Sequence, residues 1–90
     1  MPFHVYILQS DSDGTLYVGQ TSDIEDRLLR HNQGRAKFTK SKRPWRVVYS
    51  ESFSTRSEAV GRERELKALH RKDLLLKLIG SAGENVPTDL

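Results

Sequence analysis

The chain contains no cysteine, which excludes disulfide crosslinks and thiolate metal ligation and leaves only oxygen or imidazole to hold a metal. The same absence fits a reducing interior, so a cytoplasmic protein is expected. No apolar run approaches the roughly 20 residues that span a bilayer. The opening MPFHVYILQSDSDG has neither a basic leading region nor a small-residue cleavage site, so no membrane segment or secretory leader is expected. Internal repeats and low-complexity segments are also lacking. One further absence is local: from Arg27 to Ser50 there is no carboxylate, while Arg27, Arg30, Arg35, Lys37, Lys40, Lys42, Arg43 and Arg46 all fall in that window.

What is present suits one small globular domain. The 90 residues are 36% apolar and 30% charged with a net charge of +3, enough for one modest core. The domain is expected over residues 1–80, with the aperiodic stretch 81–90 as a loose tail. The carboxylate-free window has the size of a surface for a polyanion; its plainer reading is a solvated basic loop that keeps the chain soluble.

Hydrophobic periodicity places the elements. FHVYILQS and TLYVGQ are rich in β-formers and flank the turn cluster DSDG, which spells an opening hairpin. If the connecting loop has an even number of residues, centred on Ser12-Asp13 or Asp13-Gly14, Tyr6 and Tyr17 project from the same sheet face; an odd loop separates them. Ser22 and Glu25 form a capping-box pattern, Ile24 and Leu28 lie one turn apart, and Gly34 suits a C-terminal cap, predicting a helix over about 22–33. On it Arg27 and His31 share a stripe that borders the apolar one. A basic loop over 35–44 ends at Pro44, and Trp45, Val47 and Tyr49 alternate as a third strand. Thr55 and Glu58 make a second capping box before a helix over about 56–69, on whose apolar face Glu63 is an intruding carboxylate. RKDLLLKLIG reads as a short third helix ended by Gly80.

These segments carry a resemblance. HVYIL, LYVGQT, RLLRHNQG, KFTKSKRPW and SEAVGRERELK, in that order and spacing, resemble the small stand-alone bacterial kind of GIY-YIG nuclease domain, over nearly the whole chain to Gly80. The first motif reads His4-Val5-Tyr6 in place of Gly-Ile-Tyr and the second Tyr17-Val18-Gly19 in place of Tyr-Ile-Gly; both tyrosines survive. The resemblance implies an α+β fold, a three-stranded antiparallel sheet flanked by helices, which agrees with the pattern. It also implies a metal-dependent endonuclease that hydrolyses DNA phosphodiester bonds, in repair or processing and with selectivity for DNA structure. By the same resemblance Tyr6 is the general base or its close partner, and Tyr17 is a second phenol positioning water and phosphate. Arg27 is the phosphate clamp, His31 a proton relay or phosphate contact, and Glu63 the ligand of one Mg²⁺ or Mn²⁺. Lys37, Lys40, Lys42 and Arg43 are the expected DNA contacts, and no small-molecule cofactor is implied.

The chemistry is sound on its own terms. Phosphodiester hydrolysis needs a deprotonated water, cationic support for the phosphate, and a metal or acid for the leaving oxygen. Tyrosine as a base needs neighbouring cations, because its ordinary pKa is about 10. A lone carboxylate holds a hard cation weakly, so the metal would keep several waters and be completed by substrate oxygens.

Each residue has a plainer alternative. The tyrosines suit a half-buried sheet, Arg27 and His31 an exposed helix pair, and Glu63 an ion pair with Lys67, Arg62 or Arg64. Gly19 suits close packing of the first helix. His4 and His70 read as structural or solvent-exposed. Phe38 and Trp45 are able to stack on bases, although Trp45, opening a strand, suits the core. The competing function is a nucleic-acid-binding module of the same fold that cleaves nothing.

Overall fold

A computed structural model of the chain describes residues 2–69 and 72–85; His70 and residues 86–90 of the expected tail lie outside it. The strands are β1 (Phe3–Ser10), β2 (Leu16–Thr21) and β3 (Trp45–Phe53), and the helices α1 (Ile24–Asn32), α2 (Arg56–Ala68) and α3 (Lys72–Asn85). A single 3₁₀ turn at Lys40–Lys42 interrupts the basic loop. The sheet is antiparallel throughout, in the order β2-β1-β3, so the architecture is the expected α+β one.

The central strand explains the layering. In β1 four consecutive residues, Val5, Tyr6, Ile7 and Leu8, are all buried, because helices cover both faces of the sheet and alternate side chains meet different cores. Val5 and Ile7 pack with Val18, Ala59, Leu66 and Leu75 beneath α2 and α3. Tyr6 and Leu8 pack with Trp45 on the other side, against Tyr17, Ile24 and Leu28. Truncating Leu66, which is 2% exposed, to alanine costs about 2–5 kcal/mol.

The hairpin has the even loop. Leu8 pairs with Tyr17 and Gln9 with Leu16, and the Ser10 amide donates to the Thr15 carbonyl at 2.8 Å, which centres the turn on Ser12-Asp13. Tyr6 stands opposite Gly19, two residues from Tyr17, so both phenols rise from one face.

Four expectations are corrected. The first helix is capped by Asp23, whose side chain accepts from the Asp26 amide at 3.0 Å, and not by Ser22; Thr21 Oγ1 accepts from the Asp23 amide at 3.1 Å and fixes that residue at the cap. Gly34 does follow the helix in the left-handed region, at φ 77°. In β3 the alternation breaks, since Leu8 pairs with Val47 but Ile7 with Tyr49. Val48 is therefore a bulge that turns Tyr49 to the α2 face, while Val47 is left at the surface. The helix that was to end at Gly80 continues to Asn85, a glycine in a helix costing only about 0.5–1 kcal/mol against alanine, so the first part of the expected loose tail is helical. The role given to Gly19 also changes: what packs on it is the Tyr6 ring, not the first helix. The Thr55–Glu58 capping box forms as read.

Candidate active site

Tyr6, Tyr17 and His31 converge because three backbone facts coincide. The even hairpin puts both tyrosines on the α1 face. Gly19 leaves room for the Tyr6 ring to cross β2: a Cβ there would lie 2.5 Å from the phenol oxygen. Asn32 clamps the end of α1 to the start of β3, accepting from the Trp45 amide at 2.6 Å and donating to its carbonyl at 3.1 Å. That clamp holds His31, the buried residue of α1, against the tyrosines. The Tyr17 and His31 rings meet edge-on with centroids 4.8 Å apart, and the Tyr6 hydroxyl lies 3.4 Å from His31 Nε2.

Tyr17, Arg27, Arg30, His31, Arg35 and Ala36 line a cleft of about 330 Å³ beside this group. Three of its six lining residues are arginines and none is acidic, although Arg30 pairs with Asp26 at 3.1 Å. The Nε of Arg27 is buried without a hydrogen-bond partner. A buried guanidinium nitrogen left unpaired is costly unless an acceptor arrives, and phosphate oxygens are acceptors that guanidinium matches well.

Burial sets the proton affinities. It pushes the Tyr6 phenol well above the usual tyrosine range, helped by Tyr17 and by the charge of Glu63 and only partly opposed by Arg27. A free phenolate is therefore disfavoured. Burial, followed by the charge of Arg27, lowers the pKa of His31, which keeps the imidazole neutral and able to accept at neutral pH.

Glu63 stands on α2, across the sheet from α1. Its side chain is 19% exposed and pairs with Lys67 Nζ at 2.8 Å, the i,i+4 contact that was its plainer alternative, yet its charge still reaches the Tyr6 phenol. Among the described residues no three His, Asp or Glu side chains gather as a metal site. Glu63 thus offers a single carboxylate, already paired with Lys67, and no preformed cage stands around it among the described residues.

The expected DNA contacts divide. Lys37 and Lys40 are exposed and no carboxylate pairs with them among the described residues. Lys42 is bound to Asp13 at 2.8 Å, and Arg43 Nε donates to the Lys40 carbonyl at 2.8 Å while keeping its charge. Of the two aromatics, Trp45 is core, whereas Phe38 is 61% exposed, with its ring 6.2 Å from that of Tyr17. His4 stands apart, its Nδ1 3.0 Å from Ser52 Oγ.

Comparison with known proteins identifies the family and supports the fold. The model of the GIY-YIG catalytic domain matches residues 2–76. The chain belongs to the GIY-YIG family. A UPF0213 protein of Staphylococcus saprophyticus is 48% identical over 77 residues, 84% of this chain and 92% of the relative. One from Staphylococcus epidermidis is 44% identical over 72 residues, covering 79% and 87%. The solution NMR structure of a UPF0213 protein from Bacillus halodurans superposes with a TM-score of 0.60 at 34% identity, over 94% of this chain and 89% of that one. Membership of the GIY-YIG family places the chain in a nuclease superfamily.

Three contributors were not singled out from the sequence. Arg30 and Arg35 join the cleft, and the only signal for them was the carboxylate-free window. Thr39, fully buried, lies 2.8 Å from His31 Nδ1 through its hydroxyl, and nothing in the sequence pattern marks it.

Proposed function

We propose that the protein is a metal-dependent endonuclease that hydrolyses DNA phosphodiester bonds, with selectivity for DNA structure, in repair or processing. The observation that carries this reading is the arginine-lined cleft with a buried, unpartnered Arg27 Nε beside a phenol–imidazole pair. A scissile phosphate in the cleft supplies the acceptor that Arg27 lacks, and Arg35 adds charge at the same wall. Tyr17 lines the cleft and orients both the attacking water and the phosphate.

As the water oxygen bonds to phosphorus, its proton passes to the Tyr6 oxygen while the Tyr6 proton moves to His31 Nε2. The relay suits the two pKa shifts: burial denies Tyr6 a standing negative charge, and a neutral histidine stands ready. The leaving oxygen is protonated from solvent. Glu63 would hold the divalent cation, Mg²⁺ or Mn²⁺, which when bound offsets charge building on the phosphate. Lys37, Lys40 and Arg43 draw the flanking backbone to the loop, and Phe38 offers a stacking face for a base.

The test is cleavage of linear duplex, single-stranded, flap and branched DNA in Mg²⁺ or Mn²⁺. Activity is expected to vanish in chelator, in Glu63→Ala and in Tyr17→Phe. Equal cleavage by wild type and Glu63→Ala refutes the mechanism. The Lys67 ion pair on Glu63 favours one second reading, a nucleic-acid-binding module without catalysis, and tight binding with no cut across the whole panel would carry it.

A further inference from the structure

His31 is held at both ring nitrogens. Nε2 faces the Tyr6 hydroxyl at 3.4 Å and Nδ1 faces Thr39 Oγ1 at 2.8 Å. Thr39 is 0% exposed, and its hydroxyl also reaches the Ala36 carbonyl at 3.3 Å. Its backbone is fixed as well, the carbonyl accepting from Trp45 Nε1 at 2.9 Å and from the Lys42 amide at 3.2 Å.

Two proton arrangements compete. In one, the Thr39 hydroxyl donates to His31 Nδ1, Nε2–H donates to the Tyr6 oxygen, and the Tyr6 hydroxyl proton, in a residue 2% exposed, has no acceptor. In the other, Thr39 donates to the Ala36 carbonyl, His31 Nδ1–H donates to Thr39 Oγ1, and the Tyr6 hydroxyl donates to Nε2. Only the second gives the Thr39 hydroxyl, the imidazole N–H and the Tyr6 hydroxyl each an acceptor among the described residues, and a buried hydroxyl without an acceptor is costly. The partner of one imidazole nitrogen thereby decides what the other can do.

We propose that Thr39 is a positioning residue that fixes His31 in the Nδ1–H tautomer, leaving Nε2 as a bare lone pair aimed at the Tyr6 hydroxyl. Its catalytic consequence rests on the nuclease reading above; the tautomer itself does not. Thr39 lies in the basic loop between Lys37 and Lys40, so the segment that meets DNA also carries the group that sets the histidine for proton transfer.

Nitrogen-15 NMR of the imidazole tests the tautomer in the free protein, without substrate. Wild type is expected to show a protonated Nδ1 and an unprotonated Nε2, and the reverse pattern overturns the proposal even if no variant folds. Thr39→Val keeps the shape and removes the hydroxyl. It is expected to shift the population toward the Nε2–H form and to lower kcat at least tenfold with KM for DNA unchanged, while Thr39→Ser restores both. A Val variant that folds and keeps the wild-type tautomer overturns the proposal. If wild type cleaves no DNA under any condition, the nuclease reading fails and the tautomer measurement alone decides the role of Thr39.

Discussion

Gly19→Ala tests whether the tyrosine pair is built on a missing side chain. An alanine Cβ at this position would lie 2.5 Å from Tyr6 Oη, 2.7 Å from Tyr6 Cζ and 3.2 Å from Tyr17 Cε1. The nearest of these separations is roughly 1 Å shorter than ordinary van der Waals distance. Tyr6 cannot swing clear cheaply, because its ring is buried and its hydroxyl is bonded to His31. Overpacking of this kind costs about 1–3 kcal/mol, and at about 4–8 °C per kcal/mol for a domain of this size the melting temperature should fall by roughly 5–20 °C. The geometric loss is larger in its effect on rate: a shift of about 1 Å in a reacting group costs on the order of 100-fold.

Gly61→Ala supplies the control. Gly61 lies within α2 with nothing inside 4 Å of the added Cβ, so alanine there should stabilise by about 0.5–1 kcal/mol and leave activity alone. Thermal melts followed by circular dichroism, with cleavage rates on the same preparations, separate the two substitutions. A Gly19→Ala protein with the wild-type melting temperature and an unmoved His31 imidazole resonance would refute the close-approach argument.

Further perturbations bear on charge, protons and the phenol. Lys37→Ala with Lys40→Ala should flatten the plot of log affinity against log salt by about 2, at about 0.9 for each phosphate no longer neutralised, whereas Lys42→Ala should leave that slope nearly unchanged because Lys42 is already paired with Asp13; filter binding across a salt series checks both. His31 has a lowered pKa when folded, so the unfolded chain takes up its proton first as pH falls. Stability is thus full above the unfolded value of about 6.5 and declines below it toward the folded pKa. Urea titrations at stepped pH should show this decline, and His31→Gln should lessen it. Tyr6→Phe keeps the ring over Gly19 but removes the proton donor to His31, and single-turnover cleavage should slow about 100-fold or more.

Much of the fold was legible because local rules agreed with one another. The turn cluster placed the hairpin while leaving the parity of its loop open, and the even loop that forms puts Tyr6 and Tyr17 on one face; Thr55 with Glu58 marked the start of α2 two ways at once. Two of the misreadings fall where two neighbours satisfied the same rule. Ser22 and Asp23 are both good caps, and only the Thr21 side chain selects between them. Val47 and Val48 are both apolar and β-branched, so alternation reads equally well from either, and the choice belongs to β1, whose two-sided burial draws Val48 and Tyr49 to the α2 core. Thr39 escaped notice for a different reason. Its partners are His31, Ala36 and Trp45, brought together only by the folded path of the loop, and no periodicity records such a meeting.

The basic window shows how tertiary pairing changes the meaning of a charge run. In sequence its eight cations have no carboxylate among them. In the fold the hairpin turn returns across the end of the sheet, Asp13 meeting Lys42 and Asp11 meeting Arg46, each at 2.8 Å, while Asp26 takes Arg30. Among the described residues, the charge left without an opposite partner is that of Arg27, Arg35, Lys37, Lys40 and Arg43. Two of these line the cleft and the other three belong to the adjoining loop. The positive field is therefore lopsided, cancelled toward the hairpin turn and retained toward the phenols and His31. A polyanion approaching such a surface is steered by the uncancelled part. The same acidic turn that neutralises two cations of the window thus leaves the retained charge on the side of the Arg27 and Arg35 wall.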